Sequence, residues 1–333
     1  MCNNFSILAI IWFSICTLAV SSCTPKTDAK KPIKIAIDVW AGYAQAHIAQ
    51  EKGFFKKNNV DVELVRTTSY ESLKLFTGGD TEGCFTTLAD TLMVTATGHP
   101  ARIVCIIDYS DSGDVIIGRS DIESLFELKG KTVSFEGVNT FSHIFVLTAL
   151  TKAGLKEYDV KFENIAALDV LKALEEKKID AGHTWDPIKS QALKKGYKVL
   201  SKAGDYPGII TDVLIFTPNM IKERPHEIRA IIKSLFEALD YLKAHRDESI
   251  KIVADRMGMS VQEMEEGIAG IYQPDIKENF TIMTTSTLPL SASVKMIIDF
   301  YLKRGQLFNV LSIDDVLEPK FIKSLAGKLE STE

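Results

Sequence analysis

Residues 33–67 read IKIAIDVWAGYAQAHIAQEKGFFKKNNVDVELVRT, and the order of signals in this stretch decides the fold class. Ile33 to Val39 is short, apolar and β-branched, which reads as a strand. Ala44 to Lys52 reads as a helix stopped at Gly53, and Val60 to Thr67 as a second strand. Strand, helix and strand in succession form a β/α unit, which predicts a parallel sheet covered by helices on both faces.

Working outward, the alternation continues. Ser69 to Thr77 reads as a helix with Ser69 as its N-cap and Gly78-Gly79 as its stop. Gly83 to Phe85 is a short strand and Leu88 to Thr97 a helix closed by Gly98; Arg102 to Asp108 and Val115 to Gly118 are strands. A second block follows: strands at 131–135, 160–164, 179–184 and 197–201, with helices at 140–153, 169–177 and 187–195 between them. Ile209 to Phe216 is one more apolar strand. The pattern then turns helical. Between Pro225 and Ala244, Ile228, Ile231, Ile232, Leu235, Phe236, Leu239 and Leu242 repeat at helix spacing. Further helices are predicted at 248–256, 261–270, 291–304 and 319–325. The tail needs a lobe to pack on, and the first lobe is the natural host. The expectation is therefore a two-lobed α/β protein, with 33–118 plus 211–333 as the first lobe and 119–210 as the second. The chain would cross near Gly118 and near Thr211, and two crossings make a hinge beneath a closable cleft.

Composition narrows the function classes. The chain has 333 residues, 46% hydrophobic and 25% charged, with a formal net charge of −5. That balance is ordinary for a globular protein and gives no basic face for nucleic acid or for anionic lipid. The first 22 residues carry no charged side chain, and the apolar run from Phe5 to Val20 is shorter than the ~20 residues of a spanning helix. It ends at Val20-Ser21-Ser22-Cys23, which resembles a bacterial lipobox with cleavage before Cys23 and lipid on its sulfur. Met1-Cys2-Asn3-Asn4 lacks the basic residue usual before such a run, and the alternative is an uncleaved anchor helix. Residues 23–32 read as a flexible tether. On this reading the lipid alone holds the protein at a membrane. Cys84 and Cys105 lie in apolar runs and behave as small hydrophobes; a disulfide between them stays open. There is no CxxC or Cys/His cluster, so neither a metal site nor a cofactor is expected.

Four motifs stand in order along the chain. They are Trp40-Ala41-Gly42-Tyr43; Ala49-Gln50-Glu51-Lys52-Gly53-Phe54-Phe55-Lys56-Lys57 with Val60-Asp61-Val62-Glu63-Leu64; Asp108-Tyr109-Ser110-Asp111-Ser112-Gly113-Asp114; and Asp180-Ala181-Gly182 leading to Trp185-Asp186-Pro187. Together they resemble the nitrate, sulfonate, taurine and thiamine-precursor group of periplasmic binding proteins over about residues 33–245. The resemblance implies a two-lobed type II binding-protein fold, a ligand in the interlobe cleft, and delivery to an ABC permease and its ATPase by a monomer.

Ligands of open α/β sheets sit beyond the carboxyl ends of strands, and five segments lie there. Trp40 and Tyr43 follow the first strand and offer flat faces and a hydroxyl; the plainer role is packing beneath the hinge. Thr86 and Thr87 open a helix, where backbone N–H groups attract anions and a hydroxyl also serves as an N-cap. Asp108, Ser110, Asp111 and Asp114 crowd one loop, either as a solvated turn or as carboxylates awaiting a cation. Asn139, Thr140 and Ser142 open a helix from the other lobe. Trp185 and Asp186 follow Thr184, with Trp185 placed to face Trp40 or to cap its own lobe's core. These segments hold no Arg or Lys, which favours a taurine-like aminosulfonate or an aminopyrimidine over a plain inorganic anion.

GxSxG, P-loop and HExxH patterns are absent, and the six histidines show no ligand spacing. A binding protein rather than an enzyme is therefore expected. The alternatives are a sensor or surface-interaction lipoprotein on the same fold and, further off, an enzyme resembling the pyrimidine synthases.

Overall fold

The computed structural model describes residues 31–285, 288–307 and 311–329. The leader, Cys23 and nearly all of the tether lie outside these residues. Among the described residues no helix is long and apolar enough to cross a membrane.

Among the described residues, eleven strands form two sheets. In chain order they are β1 (Ile33–Ile37), β2 (Val62–Arg66), β3 (Gly83–Thr87), β4 (Arg102–Ser110), β5 (Val115–Gly118), β6 (Thr132–Phe135), β7 (Lys161–Asn164), β8 (Ala181–Thr184), β9 (Lys198–Lys202), β10 (Thr211–Phe216) and β11 (Ile271–Tyr272). The first sheet runs β11-β4-β10-β3-β1-β2 and the second β7-β6-β8-β5-β9. β10 and β5 are buried at every position, as expected of strands covered on both faces.

The sheets are mixed rather than parallel. β1 runs parallel to β2 and β3, and β6 parallel to β7 and β8. β10 runs against β3 and β4, and β5 against β8 and β9. The reason lies in the connections. β10 and β5 each enter their sheet directly from the other sheet, with no α-helix to carry the chain back to the starting edge; the short edge strand β11, which follows a helix of its own lobe, also runs against β4. Val115–Gly118 is also a strand of the second sheet, not the first. The first crossing is therefore residues 111–114, earlier than the Gly118 read from sequence. The second falls between Lys202 and Thr211.

The longer helices are α1 (Ala44–Glu51), α2 (Ser69–Gly78), α3 (Leu88–Ala96), α4 (Phe141–Lys152), α5 (Ile188–Lys194), α6 (Pro225–Ala244), α7 (Arg246–Met257), α8 (Val261–Ala269), α9 (Ile276–Thr284), α10 (Leu288–Lys303) and α11 (Lys320–Leu329). Thr68, not Ser69, occupies the N-cap position of α2. All seven apolar positions read along α6 are buried, and α6 packs on α1 of the first lobe. Asn279 of α9 is wholly buried and bonds both the N–H (2.9 Å) and the C=O (3.0 Å) of Ile106 in β4. α9 itself was not read from sequence, although Asp275 and Glu278 form its capping box.

The tail also touches the crossing. The N–H groups of Asp111, Ser112 and Gly113 all donate to the carbonyl of Gly270, at 2.9–3.0 Å. A Cβ on Gly270 would lie 2.7 Å from the Gly113 nitrogen. Only glycine permits that approach, so the segment after α8 is fastened to the hinge.

Candidate functional site

The carboxyl ends of β1, β3 and β4 and the start of β10 meet the ends of β6 and β8 at one cleft. The cleft is lined by Asp38, Trp40, Tyr43, Phe85, Thr86, Thr87, Asp90, Asp114, Phe141, Trp185, Ile210 and Asp212. The void there is small, about 30 Å³, room for one or two water-sized groups.

The first lobe supplies a floor of carboxylates. Gly42 lets this floor close up: a Cβ there would sit 1.9 Å from Asp108 Oδ2. Trp40 Nε1 donates to both oxygens of Asp108 (3.3 and 3.1 Å), and the Tyr43 hydroxyl donates to Asp212 Oδ1 at 2.5 Å. Asp108 and Asp212 are directly paired across β4 and β10. Asp38 Oδ1 is buried without a partner. Burial pushes the Asp38, Asp108 and Asp212 carboxyls well up. Neighbouring carboxylates add to the rise: Glu136 at Asp38, Asp114 at Asp108, and Asp108 at Asp212. Asp90 is raised to about 7, chiefly by burial.

The second lobe supplies an apolar lid. Trp185 meets Trp40 edge to face, with ring centroids 6.1 Å apart, and lies against Phe141. Its Nε1 donates to the Val39 carbonyl of the first lobe at 3.0 Å. Phe141 N–H, at the start of α4, donates to Asp90 Oδ1 across the cleft at 3.1 Å. Further out, Gln191 of α5 bonds Glu263 of α8 at 2.9 Å, and Ser190 bonds Glu266.

Beneath the lid runs a buried chain. Ser142 Oγ meets His183 Nδ1 at 2.8 Å, and His183 Nε2 meets Asp114 Oδ1 at 2.8 Å. The order resembles a nucleophile, base and acid. However, Ser142 and His183 are 0% exposed, and Ser142 Oγ also accepts the Glu136 N–H. The hydroxyl is walled off from any substrate. The chain instead ties α4, β8 and the start of β5 together and holds Asp114 at the cleft.

Of the residues read from sequence, Trp40, Tyr43, Thr86, Thr87 and Trp185 line the cleft, and Asp108 holds Trp40 from below. Asn139 and Thr140 line an adjoining chamber. The others lie elsewhere. Ser110 is buried and accepts the Asp114 N–H. Asp111 is exposed and pairs with Lys202 at 3.4 Å. Ser142 belongs to the buried chain. Asp186 is buried against Ser190 and Lys189, the latter at 2.7 Å. The helix starts are also already served. Thr87 Oγ1 caps α3 through Asp90 N–H, Thr140 caps α4 through His143 N–H, and Asp90 takes the Phe141 N–H. Anion capture at these N-termini is thus taken over by the protein's own groups.

Asp38, Phe85, Asp90, Phe141, Ile210 and Asp212 were not singled out from sequence. Asp38 and Asp212 carried a signal, since each is a charge inside an otherwise apolar strand run. Cys84 and Cys105 are both free and buried, and burial raises both thiols. Among the described residues no group of His, Cys, Asp and Glu is placed to hold a metal ion.

Comparison with known proteins fits this architecture. Residues 40–249 match the model of the family described as "NMT1/THI5 like". The chain belongs to this family. It is 27% identical over 228 residues to a putative thiamine biosynthesis protein of Haemophilus influenzae, covering 66% of this chain and 72% of that one. Over 221 residues it is 26% identical to the 4-amino-5-hydroxymethyl-2-methylpyrimidine phosphate synthase THI11 of Saccharomyces cerevisiae, covering 59% and 62%. The crystal structure of the periplasmic aliphatic sulphonate binding protein SsuA of Escherichia coli superposes with a TM-score of 0.71 at 18% identity, over 87% of this chain and 93% of that one. The family member described here thus has the periplasmic binding-protein fold.

Proposed function

We propose that this protein is an exported, Cys23-anchored solute-binding protein that captures a small, cation-bearing organic molecule and presents it to an ABC importer. The single observation that carries the ligand class is the floor of the cleft. Four aspartates line it, and no Lys or Arg does. Buried carboxylates at such density repel one another unless protons or a cation neutralise them. A ligand with an amine or a protonated ring nitrogen supplies that charge and donates to the buried oxygens. The aromatic wall of Trp40, Phe85, Phe141 and Trp185 suits a flat ring. An aminopyrimidine meets both conditions. A taurine-like molecule meets the first, but its sulfonate lacks a free helix start.

Capture works by closure. The lobes, 33–110 plus 211–329 on one side and 115–202 on the other, hinge at the two crossings. A ligand touching both lobes binds the closed form more tightly and shifts the balance toward it. Binding without chemistry is supported by the burial of the Ser142–His183–Asp114 chain.

The test is thermal unfolding of the chain from Lys31 with aminopyrimidines, alkylamines, taurine, alkylsulfonates and nitrate. A ligand at 100 times its dissociation constant adds ~2.7 kcal/mol. Stabilisation by cation-bearing compounds and none by alkylsulfonates or nitrate is expected. Stabilisation by the plain anions alone overturns the ligand class, and silence across the panel overturns solute binding.

A further inference from the structure

A second chamber opens beside the cleft, with a void of about 160 Å³. Its walls are Leu73 of α2, Asp90 and Met93 of α3, and Glu136 to Phe141 (Gly137 apart) from the loop that leads into α4. Asp90 and Phe141 belong to both spaces. The chamber therefore adjoins the cleft, with the hydrogen bond that joins these two residues between the two spaces.

Its chemistry differs from the floor. Leu73, Met93, Val138 and Phe141 make it mainly apolar. Its polar members are Asp90, Glu136, Thr140 and Asn139, and Asn139 stands apart. Its backbone sits in the left-handed region, at φ +69°, which a non-glycine residue adopts only when its surroundings hold it there. Two bonds do so. Its N–H donates to His143 Nδ1 at 3.1 Å, and its C=O accepts from the Tyr301 hydroxyl at 3.0 Å. The side chain carried by this fixed backbone has its amide oxygen buried without a partner. A buried acceptor left unsatisfied is costly, and a ligand donor would satisfy it.

We infer that the chamber is a second subsite, and that the physiological ligand has two parts: a cationic head on the aspartate floor, and a largely apolar substituent carrying an O–H or N–H toward Asn139. This rests on the solute-binding reading above and extends it from the head group to the whole ligand. The floor selects charge, and the chamber selects length. The void there is several times that at the floor, so most of the ligand's apolar surface lies in the chamber.

The test uses three probes with the chain from Lys31: 4-aminopyrimidine, its 5-propyl derivative and its 5-(3-hydroxypropyl) derivative, each titrated calorimetrically. Two variants accompany it. Met93→Trp fills the chamber from a half-buried position. Asn139→Gly removes the amide while keeping the backbone conformation, which glycine adopts readily. In the native protein the hydroxypropyl compound should bind at least tenfold more tightly than 4-aminopyrimidine. Met93→Trp should abolish that gain and leave 4-aminopyrimidine unchanged. Asn139→Gly should bring the hydroxypropyl compound down to the propyl one. A gain that survives Met93→Trp, or no gain although 4-aminopyrimidine binds, overturns the subsite and spares the functional reading. Binding of none of the three overturns both.

Discussion

Asp108 and Asp212 stand directly opposite one another across the β4–β10 ladder, both buried, with the indole of Trp40 on one and the hydroxyl of Tyr43 on the other. Side chains so placed have Cβ atoms roughly 5 Å apart, and like charges there are destabilising. Burial and neighbouring carboxylates raise both carboxyls, and on the proposed function a bound cation relieves that repulsion. Asp212→Asn should therefore leave the free protein as stable as native or stabilise it by about 1 kcal/mol. The same change should weaken 4-aminopyrimidine binding ten- to a hundredfold. Calorimetric unfolding and titration at one pH check both. A less stable variant that binds as before would reject the argument.

Asp90 gives the protein a pH dependence of definite sign. Its carboxyl rises from the ordinary 3.8 to about 7, chiefly through burial. Between those values the folded protein holds a proton that the unfolded chain has released. The contribution is complete below about pH 4 and is lost as pH rises through 7. Asp90→Asn cannot ionise, so its stability relative to native should grow between pH 5 and pH 8. A gain on the order of 1–2 kcal/mol is expected, less than the full shift would give. His47 and His143, both lowered to about 4 mainly by burial, act in the opposite sense. They cancel in the difference between variant and native. A difference that stays flat from pH 5 to 8 would show that Asp90 is ionised throughout.

Gly42→Ala tests the packing of the floor. The new Cβ would lie 1.9 Å from Asp108 Oδ2 and 2.4 Å from Trp40 Nε1, so both must move. Overpacking of this kind costs about 1–3 kcal/mol. The variant should melt several degrees lower and lose most of its ligand affinity. Native affinity in a folded Gly42→Ala protein would mean that Asp108 and Trp40 do not shape the site.

The β/α alternation and the seven-residue stripe of α6 were legible in the sequence because each rests on local periodicity; the first crossing, read near Gly118, lies at residues 111–114. The direction of β5 and β10 was not, because strand polarity depends on which sheet the chain enters and periodicity is blind to that. Trp40, Tyr43 and Trp185 were placed at the cleft by their position after strand ends, whereas Phe85 and Phe141 were not. Asp111 was misread for a physical reason: one residue beyond the end of β4 turns the side chain from the cleft to solvent, where Lys202 meets it. Asp90 was hidden because its role arises from a partner fifty-one residues away, Phe141. At the helix starts the structure shows the capping alternative for Thr87 and Thr140, and Asp90, a carboxylate of the protein itself, takes the Phe141 N–H.

Trp185→Phe tests the latch between the lobes. The ring stays, but the Nε1–H bond to the Val39 carbonyl is lost. A hydrogen bond of this kind is worth about 1 kcal/mol, which lowers the ratio of closed to open molecules about fivefold. Small-angle scattering should report a larger radius of gyration than native, with recovery on saturation by a bound aminopyrimidine. Identical profiles for variant and native would reject the latch.

The chain has three tryptophans. One is Trp12, and the other two are Trp40 and Trp185, which touch edge to face across the cleft. A protein beginning at Lys31 keeps only those two. Every indole photon it emits then originates at the cleft, beside its carboxylates. On the proposed function the molecule carries its own optical probe of occupancy, and solute binding would be followed in real time with no dye attached.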